Sequence, residues 1–355
     1  MRTRIATLAG PLCLAVLLLG ACGGSSSGGR AENHPAPPAG DFPTPKGASL
    51  DKVLKQANGH SDLVLSGQTT VLYPGQNRYA FGVFTRSVKA QVTDAQVALY
   101  IAKLPPKSKL PTPKANGTPA TKKGRFGRLS QSLSNPAFGP YPAKIESLAT
   151  KPAFQSRTTA DDPNAAKVLY TTNIDFPSKG QWRIGALIKN GDQLSTRLLT
   201  SVQVGQINDI PRVGQRAPDI HTPTQQSVAG DLSKLTTRVP PESMNKTDFH
   251  DVLGKKPIVL LFATPKFCQS RVCGPVVDEA SQVQRQYGNQ AEFIHMEIYK
   301  DNDPSKGVRP QVRAFHLPSE PWLFVIDRHG VIRTAIEGAF NAQELTQAVK
   351  GVTAG

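Results

Sequence analysis

The 355-residue sequence predicts two folded units, an all-β sandwich followed by an α/β domain with a central sheet. Three observations carry this. About seven short apolar runs lie between residues 62 and 204, separated by turn signals such as Pro74-Gly75. Beyond residue 256, apolar runs alternate with stretches whose apolar residues recur at helical spacing. The run Ile258-Val259-Leu260-Leu261-Phe262 is unbroken, which marks a strand buried on both faces of a sheet with parallel pairing.

The chain opens on a targeting segment. Arg2 and Arg4 make a basic end, and the apolar stretch over residues 5–19 is too short and wrongly flanked for a membrane span. It ends Leu19-Gly20-Ala21-Cys22, which resembles the bacterial lipobox. The resemblance implies a signal peptide over residues 1–21, lipid on Cys22, and a protein held at the extracytoplasmic face of the cell membrane. An ordinary signal peptide with an incidental cysteine is the alternative. Residues 22–58, rich in Gly, Ser, Pro and Ala without periodicity, read as a flexible tether.

Residues 59–205 are expected to form the sandwich. Runs at 62–65, 69–73, 78–85, 95–102, 167–175, 180–189 and 194–204 have the length and spacing of an immunoglobulin-like fold. Pro177-Ser178-Lys179-Gly180-Gln181-Trp182 resembles the late hairpin of bacterial immunoglobulin-like domains. No nucleophile or metal-ligand cluster is present there, so the unit reads as a binding or spacing module. Residues 103–143 are rich in Pro, Lys, Arg and Ser and lack acids, and are expected to be an exposed insertion.

The formal net charge is +16, spread over both halves, with no nucleic-acid motif and no aromatic interleaving of the basic runs. Nucleic acid is therefore not expected as a partner. For a tethered protein the charge implies attraction to an anionic envelope.

Residues 206–355 are expected to form the α/β domain, with a strand at 292–299, a short helix at 309–315 and a final helix at 341–349. Asn341 and Glu344 have the spacing of an N-cap and its reciprocal partner. After Phe262 comes a loop with Cys268 and Cys273, then Gly274-Pro275, then Val276, Val277, Ala280, Val283 and Tyr287 at helical spacing. A cysteine pair thus stands between a buried strand and a helix start, where open N–H groups favour thiolate over thiol.

A strand ending in Phe-x-Ala, then cysteines, then Gly-Pro opening a helix resembles the thioredoxin-like superfamily. Pro321-Trp322-Leu323-Phe324-Val325-Ile326-Asp327 followed by Arg328-His329-Gly330 strengthens the likeness. Val213-Gly214-Gln215-Arg216-Ala217-Pro218-Asp219 resembles the opening of redoxin-type members. The resemblance implies a thioredoxin-like fold, with Cys268 and Cys273 as a redox-active pair and Pro321 as a cis-proline facing them. It also implies exchange with a thiol or disulfide protein partner, and no cofactor.

Two departures stand against the family pattern. Gln269, Ser270, Arg271 and Val272 separate the cysteines where two residues are usual, and Leu261 occupies the place of a buried aspartate. Of four cysteines, Cys13 leaves with the signal and Cys22 takes lipid, so Cys268 and Cys273 can only pair with each other or cycle. The strand count favours Cys268 as the attacking sulfur and the helix start favours Cys273; the helix field tips the expectation to Cys273. Arg271 is expected to support a thiolate and Glu320 to oppose one.

Two other readings remain. One is a non-catalytic binding or structural lipoprotein in which the disulfide is an inert clip. The other is Sco-like copper delivery, which uses two such cysteines and a histidine; Ser319 stands near that place and His316 is displaced. With three methionines in the chain, no methionine-rich copper site is expected. The other histidines, His34, His60, His221, His250, His295 and His329, make no ligand-spaced cluster and read as bystanders.

Overall fold

Alternating apolar residues between positions 63 and 204 build two antiparallel sheets that share one core, in a computed structural model that describes residues 31–105, 133–207 and 209–354. The signal peptide over 1–21, Cys22 and residues 106–132 of the basic insertion lie outside the described residues. One sheet runs β1 (Leu63–Gly67), β2 (Gly75–Thr85), β6 (Val168–Phe176), β5 (Lys144–Ser147). The other runs β4 (Ala137–Pro142), β3 (Gln96–Lys103), β7 (Gly180–Asn190), β8 (Gln193–Leu198), with β9 (Val202–Val204) also on β7. Phe81 and Tyr170 from the first sheet meet Leu99, Trp182 and Ile184 from the second in a single apolar cluster. Burial of such rings and branched chains is the main stabilising term, about 25 cal/mol per Å² of apolar surface.

Three expectations change here. The tether was expected to run to residue 58, but from residue 31 the described chain is packed onto the sandwich. Helix α1 (Leu50–Leu54) buries Leu50, Val53 and Leu54 against Ala98, Tyr100 and Leu187, and Ser49 caps it by accepting from Lys52 N. Gly185 leaves the room: a Cβ there would sit 3.0 Å from Leu54 Cδ1. The insertion was expected to reach residue 143, yet Ala137–Pro142 pair with β3. Residues 69–73 are no strand; they cross to the second half of the chain, where Glu337 accepts from Thr70 N at 3.0 Å and Val71 N at 2.8 Å.

The second half holds a four-stranded sheet in the order β11 (Glu292–Met296), β10 (Ile258–Phe262), β12 (Trp322–Ile326), β13 (Ile332–Glu337). β10 pairs parallel with β11 and antiparallel with β12, as its two-faced apolar composition requires. On one face lie the helices that supply Val276, Val277, Ala280 and Val283, and Leu345 and Val349. These are, in the numbering used below, α4 (Cys273–Tyr287) and α6 (Ala342–Thr353). On the other face Phe249 of α3 (Phe249–Val252) and Val312 of α5 (Pro310–Ala314) cover Leu260, Phe262 and Phe324. The order strand, cysteine-led helix, strand, hairpin and last helix is the thioredoxin-like arrangement that the sequence resemblance implies for this part of the chain.

The two halves are continuous: residues Ala31–Gly355 form one compact unit. Arg78 Nε meets Glu344 at 2.7 Å, and its Nη2 donates to Ala339 O at 2.7 Å. Asn341 caps α6 as expected, accepting from Glu344 N. The Glu344 carboxylate does not close a capping box; it turns to Arg78 of β2 instead. Ala80, Leu148, Ala166 and Leu169 of the sandwich lie in the same apolar cluster as both cysteines.

Candidate functional site

The site is built where β10 stops and α4 starts. β10 ends at Phe262, a loop of turns follows, and Arg271 takes a left-handed backbone (φ 60°) that redirects the chain into the helix. α4 begins at Cys273; its N-cap, Val272, makes no side-chain cap hydrogen bond, and its first turn carries no acid. Pro275 carries no N–H and Val276 N donates to Val272 O, so the N-terminal partial positive charge at Cys273 rests on the N–H groups of Cys273 and Gly274. Cys268 and Cys273 form a disulfide with Cα atoms 5.9 Å apart, within the usual span for such a bond. Ser270 Oγ lies 3.2 Å from Cys268 Sγ.

Both sulfurs are covered. Cys268 is 5 % exposed and Cys273 0 %. Cys273 is the first residue of α4, at the helix mouth as expected, and of the two buried cysteines Cys268 keeps the slightly greater exposure.

The cover is the segment joining β5 to β6, which includes α2 (Arg157–Ala160). Its Ser156 N and Oγ donate to Asp278 of α4 at 3.0 and 3.2 Å. Asp162 meets Arg271 Nη1 at 3.1 Å, and Ala166 N donates to Arg271 O at 3.0 Å. Thr159 lies so close to Gly274 that a Cβ there would sit 2.8 Å from Thr159 Oγ1, so the glycine after Cys273 serves this contact. Arg271 was expected to support a thiolate; its guanidinium is instead paired with Asp162.

Pro321 is a cis-proline at the head of a strand, as the resemblance implies. The Glu320–Pro321 peptide is cis and leads directly into β12. Pro321, Glu320, Gln269, Ser270 and Arg271 line one cleft of about 930 Å³. Cys268 and Cys273 are bonded to each other, and Pro321 shares the cleft with the residues between them, Gln269, Ser270 and Arg271; neither cysteine lines that cleft. The sandwich contributes to the same lining, through Val64 and Ser66 of β1, Phe84 of β2, and residues 163–167 of the covering segment. Sequence reasoning gave the sandwich no part in the site. Burial pushes the Glu320 carboxyl up from its ordinary value.

A second polar cluster was missed. His295, read as a bystander, is buried on β11 with Nδ1 2.7 Å from Glu242 and Nε2 3.1 Å from Ala263 O. Burial alone would raise the Glu242 carboxyl, but the His295 charge and hydrogen bond hold it at about 2. Burial opposes the His295 charge, yet the Glu242 carboxylate raises its pKa overall. The signal was an acid and a histidine in otherwise apolar surroundings, which sequence separation hid. Elsewhere the His221 and His250 rings lie tilted against each other with centroids 4.4 Å apart, each bonded to an aspartate. Among the described residues no group of three or more His, Cys, Asp or Glu is arranged to hold a metal ion.

No protein-family model and no curated protein matches the chain. Among solved structures, a thiol:disulfide interchange protein of the thioredoxin family from Chlorobium tepidum TLS is 18 % identical, with a TM-score of 0.29. It matches 40 % of this chain and 97 % of its own. A thioredoxin-like protein solved in its oxidised form is 16 % identical with a TM-score of 0.25, over 34 % of this chain and 97 % of its own.

Proposed function

We propose that the protein is a thiol–disulfide exchange protein of thioredoxin-like type, tethered through lipidated Cys22 to the extracytoplasmic face of a membrane. One observation carries the redox reading. A disulfide sits between a buried strand and an uncapped helix start, in a loop that shares a cleft with a cis-proline. Exchange needs a reachable sulfur, a stabilised leaving thiolate and a second thiol to resolve the mixed disulfide. Cys268 is the reachable sulfur. Cys273, at the open N-terminus of α4, is the leaving and resolving one. Pro321 lines the path of approach.

The sandwich supports an immunoglobulin-like reading through its strand order. β1-β2-β6-β5 against β4-β3-β7-β8 corresponds to an A-B-E-D sheet facing a C′-C-F-G sheet. The lipid anchor rests on Leu19-Gly20-Ala21-Cys22 alone. Expression of Cys22→Ala in the native host tests it: release from the membrane fraction or blocked processing supports the anchor, and unchanged fractionation counts against it. No helix among the described residues is long and apolar enough to cross a membrane.

The exchange reading is tested by following reduction of the Cys268–Cys273 bond with dithiothreitol in the native protein. Reduction and reoxidation without loss of the fold support it. A bond reduced only on unfolding leaves the inert clip, which the burial of both sulfurs favours as the second reading. Copper delivery ranks third, and stoichiometric Cu(I) capture by the reduced protein that disappears on His316→Ala would promote it.

A further inference from the structure

The disulfide is covered from the α4 side, and the loop between its cysteines, through Gln269, Ser270 and Arg271, lines the cleft that the sandwich walls in. The character of that wall decides what enters. Four cations line the cleft: Arg86 and Lys89 beyond the end of β2, Lys167 ahead of β6, and Arg271 in the cysteine loop. One acid, Glu320, lines it with them. Arg271 is neutralised by Asp162, which does not line the cleft. Arg86, Lys89 and Lys167 are exposed and form no ion pair among the described residues. Burial raises the Glu320 carboxyl above its ordinary value. Val64, Phe84 and Ala166 add apolar surface to the same lining.

We propose that this cleft selects a cysteine-bearing polypeptide segment that is extended and acidic, with the sandwich rather than the thioredoxin-like half supplying the selection. The proposal rests on the exchange reading above. The cation set concentrates negative partners and steers their approach. The cover over α4, tied down at Ser156, Asp162 and Ala166, keeps a broad folded surface away from Cys268, whereas an extended segment fits a cleft of about 930 Å³. In the step itself the segment's thiolate attacks Cys268 Sγ and the Cys268–Cys273 bond breaks. Cys273 leaves as a thiolate stabilised at the start of α4. The mixed disulfide then resolves either by return of Cys273, or by a second thiol of the segment attacking its own bonded sulfur. The second route oxidises the segment's two thiols to a disulfide, and Cys268 and Cys273 end as thiols.

The test uses the oxidised full chain and two synthetic ten-residue peptides with two cysteines each, one flanked by Asp and Glu, the other by Lys and Gln. The rate of loss of the Cys268–Cys273 bond is measured with each, at low and high salt. The acidic peptide is expected to react at least about tenfold faster at low salt, with the advantage collapsing in high salt. In the variant Arg86→Glu, Lys89→Glu, Lys167→Glu, the preference is expected to reverse, while reduction by dithiothreitol, whose attacking thiolate carries a single charge, changes far less than the rate with the acidic peptide. Equal rates for the two peptides, or a preference that survives the charge reversal, overturn the proposal and leave the exchange reading standing. No exchange with either peptide, together with resistance to dithiothreitol, removes the exchange reading and this proposal with it.

Discussion

Asp162 reaches Arg271 at 3.1 Å, tying the segment between β5 and β6 to the loop between the two cysteines. The contact makes the cover over the disulfide part of the site's chemistry, since Arg271 O also accepts from Ala166 N in the same segment. The pair is part-exposed, so its contribution is discounted to roughly 0.5–1 kcal/mol. Asp162→Ala is therefore expected to speed reduction of the disulfide by dithiothreitol roughly two- to fivefold, with little change in melting temperature. An unchanged rate would mean that the cover opens elsewhere, or does not limit access.

Glu337 joins the halves more firmly. Its carboxylate accepts from Thr70 N and Oγ1, Val71 N and Ser319 Oγ, and it is almost wholly buried. Glu337→Leu leaves those donors without an acceptor, at a cost of about 2–3 kcal/mol. Denaturant unfolding of the variant should show this loss. Wild-type stability in Glu337→Leu would show that water replaces the carboxylate.

Much of this was legible from residue order, and the misses have physical causes. The run 258–262, the Cys-Gly-Pro helix start and the Asn341 cap are local signals, and each appears where the pattern puts it. The cover over the cysteines comes from over a hundred residues away, through Asp162, Ala166 and Thr159. No local pattern encodes such a pairing. The composition of residues 22–58 outweighed the short signal Ser49-Leu50-x-x-Val53-Leu54, although a cap followed by apolar residues at helical spacing was there to read. The strand Ala137–Pro142 hid because its two prolines lower strand propensity, and an edge position next to β3 tolerates them.

Leu50 separates a packed segment from a tether directly. It is fully buried with Val53, Tyr100 and Leu187, so Leu50→Ala should lower stability by about 3 kcal/mol. A denaturation midpoint that does not move would return residues 31–58 to the status of a linker.

The His295–Glu242 pair predicts a pH dependence. His295 has its pKa raised in the folded state, so its contribution is fully present below the unfolded value of about 6.5 and is lost as pH rises through the folded value. Glu242 is held at about 2, so its contribution is present above the ordinary carboxylate range and lost as pH falls through about 2. Glu242→Gln leaves His295 buried without its counter-charge and should cost about 3 kcal/mol near pH 5.5. The cost should shrink on the alkaline side, where His295 is neutral in both states. A loss that grows with pH would contradict the assignment of charge to this pair.

The central claim is that the Cys268–Cys273 bond exchanges rather than clips. Its reduction potential, measured by equilibration of the native protein with glutathione or dithiothreitol buffers, tests that most directly. The open helix start beside Cys273 stabilises the reduced form, so the account predicts a potential above about −300 mV, in the range of exchange-active disulfides. A value below about −300 mV, where structural disulfides of exported proteins lie, would contradict it.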